Sequence, residues 1–227
     1  MATRKIIKAH PYDKFIEIVN KNDRNIRDVY KGAIDILINT VPHIEPSVND
    51  IKMVYAFGTL AIEYKTAAAF YCEKLNDFMI LLNPYFFKYK LTTDISRAYV
   101  LAHEHFHILL LHVTPLYADI NKRDHKATNI AMDVVINGML DFLFAHYLRK
   151  GSGSGNEGVD FYSELIKGFN YRSRGVDMEE YNNSTYAVFD KIKNNIKKED
   201  MDKIVASLKE RYANAIERLN NAKLDNK

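Results

Sequence analysis

His103, Glu104 and His107 stand in the spacing H-E-x-x-H within the run Tyr99–His112. Helix formers and apolar residues surround them, and neither Gly nor Pro interrupts until Pro115. On a helix, positions four apart share a face, roughly 5–6 Å apart at Cβ. Two imidazoles so placed converge on one ion. Glu104, one residue on, is turned about 100° by the helical period. Its carboxylate then lies beside the ion and in reach of a proton on a metal-bound water, the general-base task. The plainer reading is a chance match on a helix that buries satisfied histidines. Against it stands cost, because a buried His-Glu-His group without a metal or other partners is expensive.

Catalytic zinc keeps three protein ligands and one open position. His105 is about 200° from His103 and faces away. His112 is about 180° round for as long as the helix continues. Leu109, Leu110 and Leu111 offer no glycine to turn the chain before it, so the third ligand is expected from the next helix. That helix follows Pro115 and a polar turn, over Ala127–Leu140. Asp133 is set among Ile130, Ala131, Met132, Val134, Val135 and Ile136, where an unpaired carboxylate is costly. Asn129, Asp133 and Asn137 are spaced by four and form one polar stripe. Either Asp133 is the third ligand, with Asn129 and Asn137 supporting it or the substrate, or the stripe hydrogen-bonds a neighbouring helix. His125 is the other candidate for the ligand position.

The pattern His103-Glu104-x-x-His107-x-x-x-x-His112, then a polar turn with Asp, then Asn129-Ile130-Ala131-x-Asp133-x-x-Ile136-Asn137-x-x-Leu140, resembles a metallopeptidase domain. In bacterial and phage proteins that domain often precedes a von Willebrand A-like domain. The resemblance covers about residues 80–142. It implies a zincin-like fold, Zn2+ as cofactor, His103, His107 and Asp133 as its ligands, and Glu104 as catalytic base in peptide hydrolysis. His112 matches the family's downstream His and reads as structural. Thr128 stands where the family usually carries a tryptophan, and 227 residues leave no room for a von Willebrand domain.

The elements around this helix follow from period. Residues 11–41 carry two apolar stripes at helical spacing, Phe15-Ile16-Ile18-Val19 and then Ile26 to Leu37. Met53–Phe57, Leu60–Tyr64 and Phe78–Leu82 are short and rich in β-formers, although the first also fits the end of a helix from Ser47. Thr66–Tyr71 reads either way. These stretches predict a small sheet of two to four strands beside the motif helix. The edge of such a sheet can take an extended peptide as an added strand. Asn83-Pro84 closes the last strand and also resembles the family. Tyr85 beside it is a candidate donor to an oxyanion or, more plainly, a buried aromatic. Thr93 or Asp94 caps the motif helix, and the second helix is expected from about Asp124 to Lys150. His146 reads as a boundary residue.

The expected fold class is α+β, mostly helical, with the zincin-like core over 1–150. Gly151-Ser152-Gly153-Ser154-Gly155 holds three of the nine glycines and reads as an engineered flexible linker. Residues 156–227 are expected to be helical and to pack on the same domain. Their last helix, from Lys198 to Leu224, is amphipathic and offers either a core face or a surface for a protein partner or oligomer.

The formal charge of +3 is scattered along the chain and leaves no nucleic-acid footprint. The single Cys72 excludes an intramolecular disulfide and fits a reducing compartment. No signal peptide or membrane span is visible, so no membrane role and a cytoplasmic location are expected, in the host cytoplasm if the protein is phage-encoded. No phosphate loop, cysteine metal ladder, serine elbow or internal repeat occurs. Two functions remain: a zinc peptidase acting on a peptide or protein, or a non-catalytic metal-binding structural or host-interaction protein.

Overall fold

A computed structural model describes residues 11–41, 43–149, 178–196 and 200–222. The linker at 151–155 and residues 156–177 of the part expected to be helical lie outside the described residues. Helix α1 is Pro11–Val29, α2 Lys31–Thr40 and α3 Glu45–Asp50. Strand β1 (Lys52–Tyr55), helix α4 (Thr59–Glu63), β2 (Ala67–Cys72) and β3 (Asp77–Leu82) follow. Then come α5 (Asp94–Leu109), α6 (Ala118–Arg123), α7 (His125–Leu143) and α8 (Ala145–Arg149). Two further helices, α9 (Met178–Asn195) and α10 (Met201–Asn220), complete the described chain. The class is α+β, mostly helical with one three-stranded sheet.

The sheet has the order β1-β3-β2, with β1 parallel and β2 antiparallel to β3. Its two edges differ. The β1 edge is closed by α1: Asp23 Oδ1 accepts the Met53 N–H at 2.9 Å, and Arg27 Nη2 donates to the Ile51 carbonyl at 2.8 Å. Arg27 Nε also donates to Asp23 Oδ2 at 2.8 Å, so the buried carboxylate is paired on both oxygens. The β2 edge runs beside α5 instead. The Asn83 N–H donates to the Thr66 carbonyl at 2.9 Å, which fixes the alternation along β2. With Ala68 opposite Leu81 and Ala69 opposite Ile80, the backbone groups of Ala67, Ala69 and Tyr71 turn to the free edge.

Leu60–Glu63 is helical rather than extended, which corrects the strand expected over Leu60–Tyr64. Gly58, at φ 60°, turns the chain after β1. Asn83 Nδ2 then holds the turn by donating to the carbonyls of Ala61 at 2.9 Å and Tyr64 at 3.0 Å. The ambiguous stretch near Thr66 is strand β2. Ile18 and Val29, expected on apolar inner faces, are exposed, as is Phe142. Ile26 and Val29 belong to α1, because the break falls at Tyr30.

The core gathers around α5, which packs against α2, α7, β2 and α10. Tyr99, Leu101, Phe106, Val134, Ile136 and Phe189 are fully enclosed, and each large apolar side chain so buried contributes about 1.5–3 kcal/mol. Helix α9 packs on α7, and the inner face of α10 packs on α5 and α7. Among the described residues no helix is long and apolar enough to cross a membrane.

Candidate metal centre

Helix α5 starts at a capping box. Thr93 Oγ1 accepts the Ser96 N–H at 3.1 Å, and Ser96 Oγ receives the Thr93 N–H at 3.4 Å. Thr93 Oγ1 also donates to the Leu219 carbonyl of α10 at 2.9 Å, so the motif helix and the last helix share one anchor. Helix α7 is capped by Asp124, whose Oδ1 accepts the Ala127 N–H at 3.0 Å and whose Oδ2 pairs with Lys193 of α9 at 2.8 Å. With both starts fixed, α5 and α7 meet side by side.

Three side chains converge where they meet. His103 Nε2 and His107 Nε2 are 3.2 Å apart. Asp133 Oδ1 lies 3.5 Å from His107 Nε2 and 3.8 Å from His103 Nε2. Ligand atoms on tetrahedral zinc, each at 2.0–2.2 Å, are separated by roughly 3.3–3.6 Å. The observed spacings bracket that range, so the donor set fits the ion without rearrangement of the helices. Among the described residues this is the group of His, Cys, Asp and Glu that could hold a metal.

Asp133 was expected to be enclosed. It is crowded by neighbours, yet 44% of its side chain is open to solvent, so the cluster has an entrance on that side. The stripe along α7 is graded: Asn129 is exposed, Asp133 intermediate and Asn137 buried. Asn137 lies against His103, and its Oδ1 and the His103 Nδ1 are both enclosed without a hydrogen-bond partner. An imidazole that ligates through Nε2 carries its proton on Nδ1, the group such an oxygen accepts. Asn129 is not part of the cluster; its Nδ2 faces His125 Nε2 at 3.3 Å. His125 is exposed and bound to Asn121 Oδ1 at 2.5 Å, which removes it as the third ligand. Tyr85 is exposed, with its ring 5.1 Å from Tyr89, and is neither buried nor in the cluster.

Charge follows burial and proximity. Burial pushes His103 down to about 4, helped by His107 and opposed by Asp133. Burial also acts to lower His107, but Asp133 and Glu104 outweigh it and its pKa is raised. Crowding acts to raise Asp133, and the two imidazoles hold it below the usual range. Glu104 is 7% exposed and pushed up to about 7, chiefly by burial; the Ala69 N–H of β2 and His107 favour its charged form, Asp133 its neutral one.

Two features escaped the sequence reading. His112 is not on the far side of the helix. Helix α5 ends at Leu109, and Leu111 takes φ 59°. The His112 N–H then bonds the His107 carbonyl and the Leu111 N–H the Ile108 carbonyl, each at 2.9 Å. This is a Schellman cap with leucine where glycine is usual, and it returns His112 to His107. No glycine marks it, so the sequence carries no signal. The second feature is Tyr212 of α10, whose ring lies 5.2 Å from His103 and 5.7 Å from Tyr99. Its hydroxyl has no hydrogen bond among the described residues. Burial first, then Glu104, Tyr99 and Asp133, raise its phenol well above the usual 10 and keep it protonated. In sequence, Tyr212 is one more apolar position of an amphipathic helix.

Comparison with known proteins finds no matching family model, no matching curated protein and no matching solved structure.

Proposed function

We propose that this chain is a zinc-dependent metallopeptidase of zincin-like fold. The observation that carries this reading is the convergence of His103 Nε2, His107 Nε2 and Asp133 Oδ1 beside buried Glu104. Those three atoms hold the ion, and two neutral imidazoles with one carboxylate offset half of its charge. Bound there, zinc polarises a carbonyl and lowers the pKa of water.

The chain's own groups supply the rest. Glu104, with a pKa near 7 before an ion is present, accepts the proton of the attacking water at its carboxylate and returns it to the leaving amine. The edge of β2 offers the N–H and C=O groups of Ala67 and Tyr71 and the Ala69 carbonyl to an extended peptide, which would lie along α5 and Glu104, the Ala69 N–H being turned to Glu104. Tyr212 stays protonated in the site wall and has a hydroxyl free to donate. The opening at Asp133 admits the substrate.

The test is cleavage of a mixed peptide pool by zinc-loaded protein, read by mass spectrometry. Wild type should cleave, and Glu104→Gln should bind zinc and not cleave. Equal cleavage by both proteins would remove Glu104 as base. Zinc uptake without any cleavage would favour the second function, a metal-binding structural or host-interaction protein.

A further inference from the structure

We propose that His112 is a positioning residue of the metal centre, fixing His107 through the ring nitrogen that faces away from the ion. The inference rests on the reading of His103, His107 and Asp133 as a metal site. His107 Nε2 faces His103 and Asp133, which leaves Nδ1 for an outer partner. His112 Nδ1 lies 3.2 Å from that atom. Only one of two facing ring nitrogens can carry the proton. When His107 Nε2 ligates, its proton resides on Nδ1, so His112 Nδ1 accepts. The His112 proton is then on Nε2, which lies 3.4 Å from Thr185 Oγ1 of α9.

The donors therefore run in one direction, from His107 to His112 to Thr185. His112 is 8% exposed and Thr185 is fully enclosed, so water does not compete for these bonds. The Tyr117 ring, 5.1 Å away and edge-on, holds the His112 plane. The turn that delivers His112 has a cost. A leucine at positive φ is strained. The same turn bonds two N–H groups of the cap and brings one imidazole to another. Helix α9, some seventy residues further along the chain, thereby reaches a ligand of the ion.

Outer partners of ligating histidines fix tautomer and ring orientation, and their loss typically weakens metal binding by roughly 10–100-fold. The experiment measures zinc affinity by competition with a chromophoric chelator, using the full chain. His112→Ala should bind zinc about 10–100-fold more weakly than wild type. Thr185→Val should show a smaller loss in the same direction and serves as the probe if His112→Ala does not fold. Leu111→Gly keeps His112 in place and should leave affinity unchanged. In zinc-loaded wild type the His107 Nδ1 proton should give a slowly exchanging NMR resonance that is lost in His112→Ala. Equal affinity of wild type and His112→Ala, or of wild type and Thr185→Val where the first variant is unfolded, overturns the proposal. So does weakened binding with the His107 proton still protected, which marks a general packing effect. A folded wild type that takes up no zinc overturns the metal-site reading and this inference with it.

Discussion

Helix α5 carries histidines on two faces, and the two faces treat the same side chain in opposite ways. On one, His103 and His107 bring their Nε2 atoms to 3.2 Å of each other and within 4 Å of a carboxylate that reaches solvent. On the other, His105 is fully enclosed; its Nδ1–H donates to the Leu101 carbonyl at 2.7 Å, and its Nε2 has no partner. His105 is a neutral core residue with one bond to its own helix. The opposite pair converges on an acid and an opening. Burial alone therefore does not separate the two faces. What separates them is a second donor atom aimed at the same point.

Removing that second donor breaks the contrast most severely. Asp133→Ala should leave α5 and α7 packed but reduce zinc affinity by far more than the roughly 10–100-fold of an outer-shell loss, because two imidazoles alone hold the ion poorly. His105→Leu, on the other face, should leave that affinity unchanged. Chelator competition on both variants checks the pair.

Glu104→Gln comes next. Glu104 keeps its proton up to about pH 7 in the folded, metal-free chain, against 4.5 for the ordinary group. As pH rises through that window the unfolded chain releases the proton first, so folded stability falls. A shift of this size corresponds to about 3 kcal/mol. Metal-free Glu104→Gln should lack that decline and gain up to this amount at pH 8, as read by denaturant unfolding.

His105 titrates in the opposite sense. Burial lowers it from 6.5 to about 4, so the unfolded chain takes up the proton first as pH falls. Its contribution is whole above pH 6.5 and is lost as pH falls toward 4. His105→Leu should flatten the stability profile by about 2 kcal/mol between pH 7 and pH 5. An unchanged slope would show that His105 is not the enclosed neutral group described.

Local pattern made the helices α5 and α7, the Thr93 cap and the shared face of His103 and His107 legible, because each depends on residues within one or two turns. The strand pattern was legible at Phe78–Leu82 and misleading at Leu60–Tyr64. There the decision rests with Gly58 and with Asn83, some twenty positions away. Asp133 was placed on the right helix and at the wrong depth, since solvent access depends on what α9 and α10 leave uncovered. Tyr212 and the return of His112 were invisible for two different reasons. One reaches the site from a helix more than a hundred residues along, and the other depends on a leucine in a backbone conformation that sequence assigns to glycine.

The central claim is that α5 and α7 together hold one ion. Elemental analysis of protein purified without chelator tests it most directly. About one zinc per chain is expected for wild type and almost none for Asp133→Ala. A folded wild type that carries no zinc and takes up none at neutral pH would contradict the account.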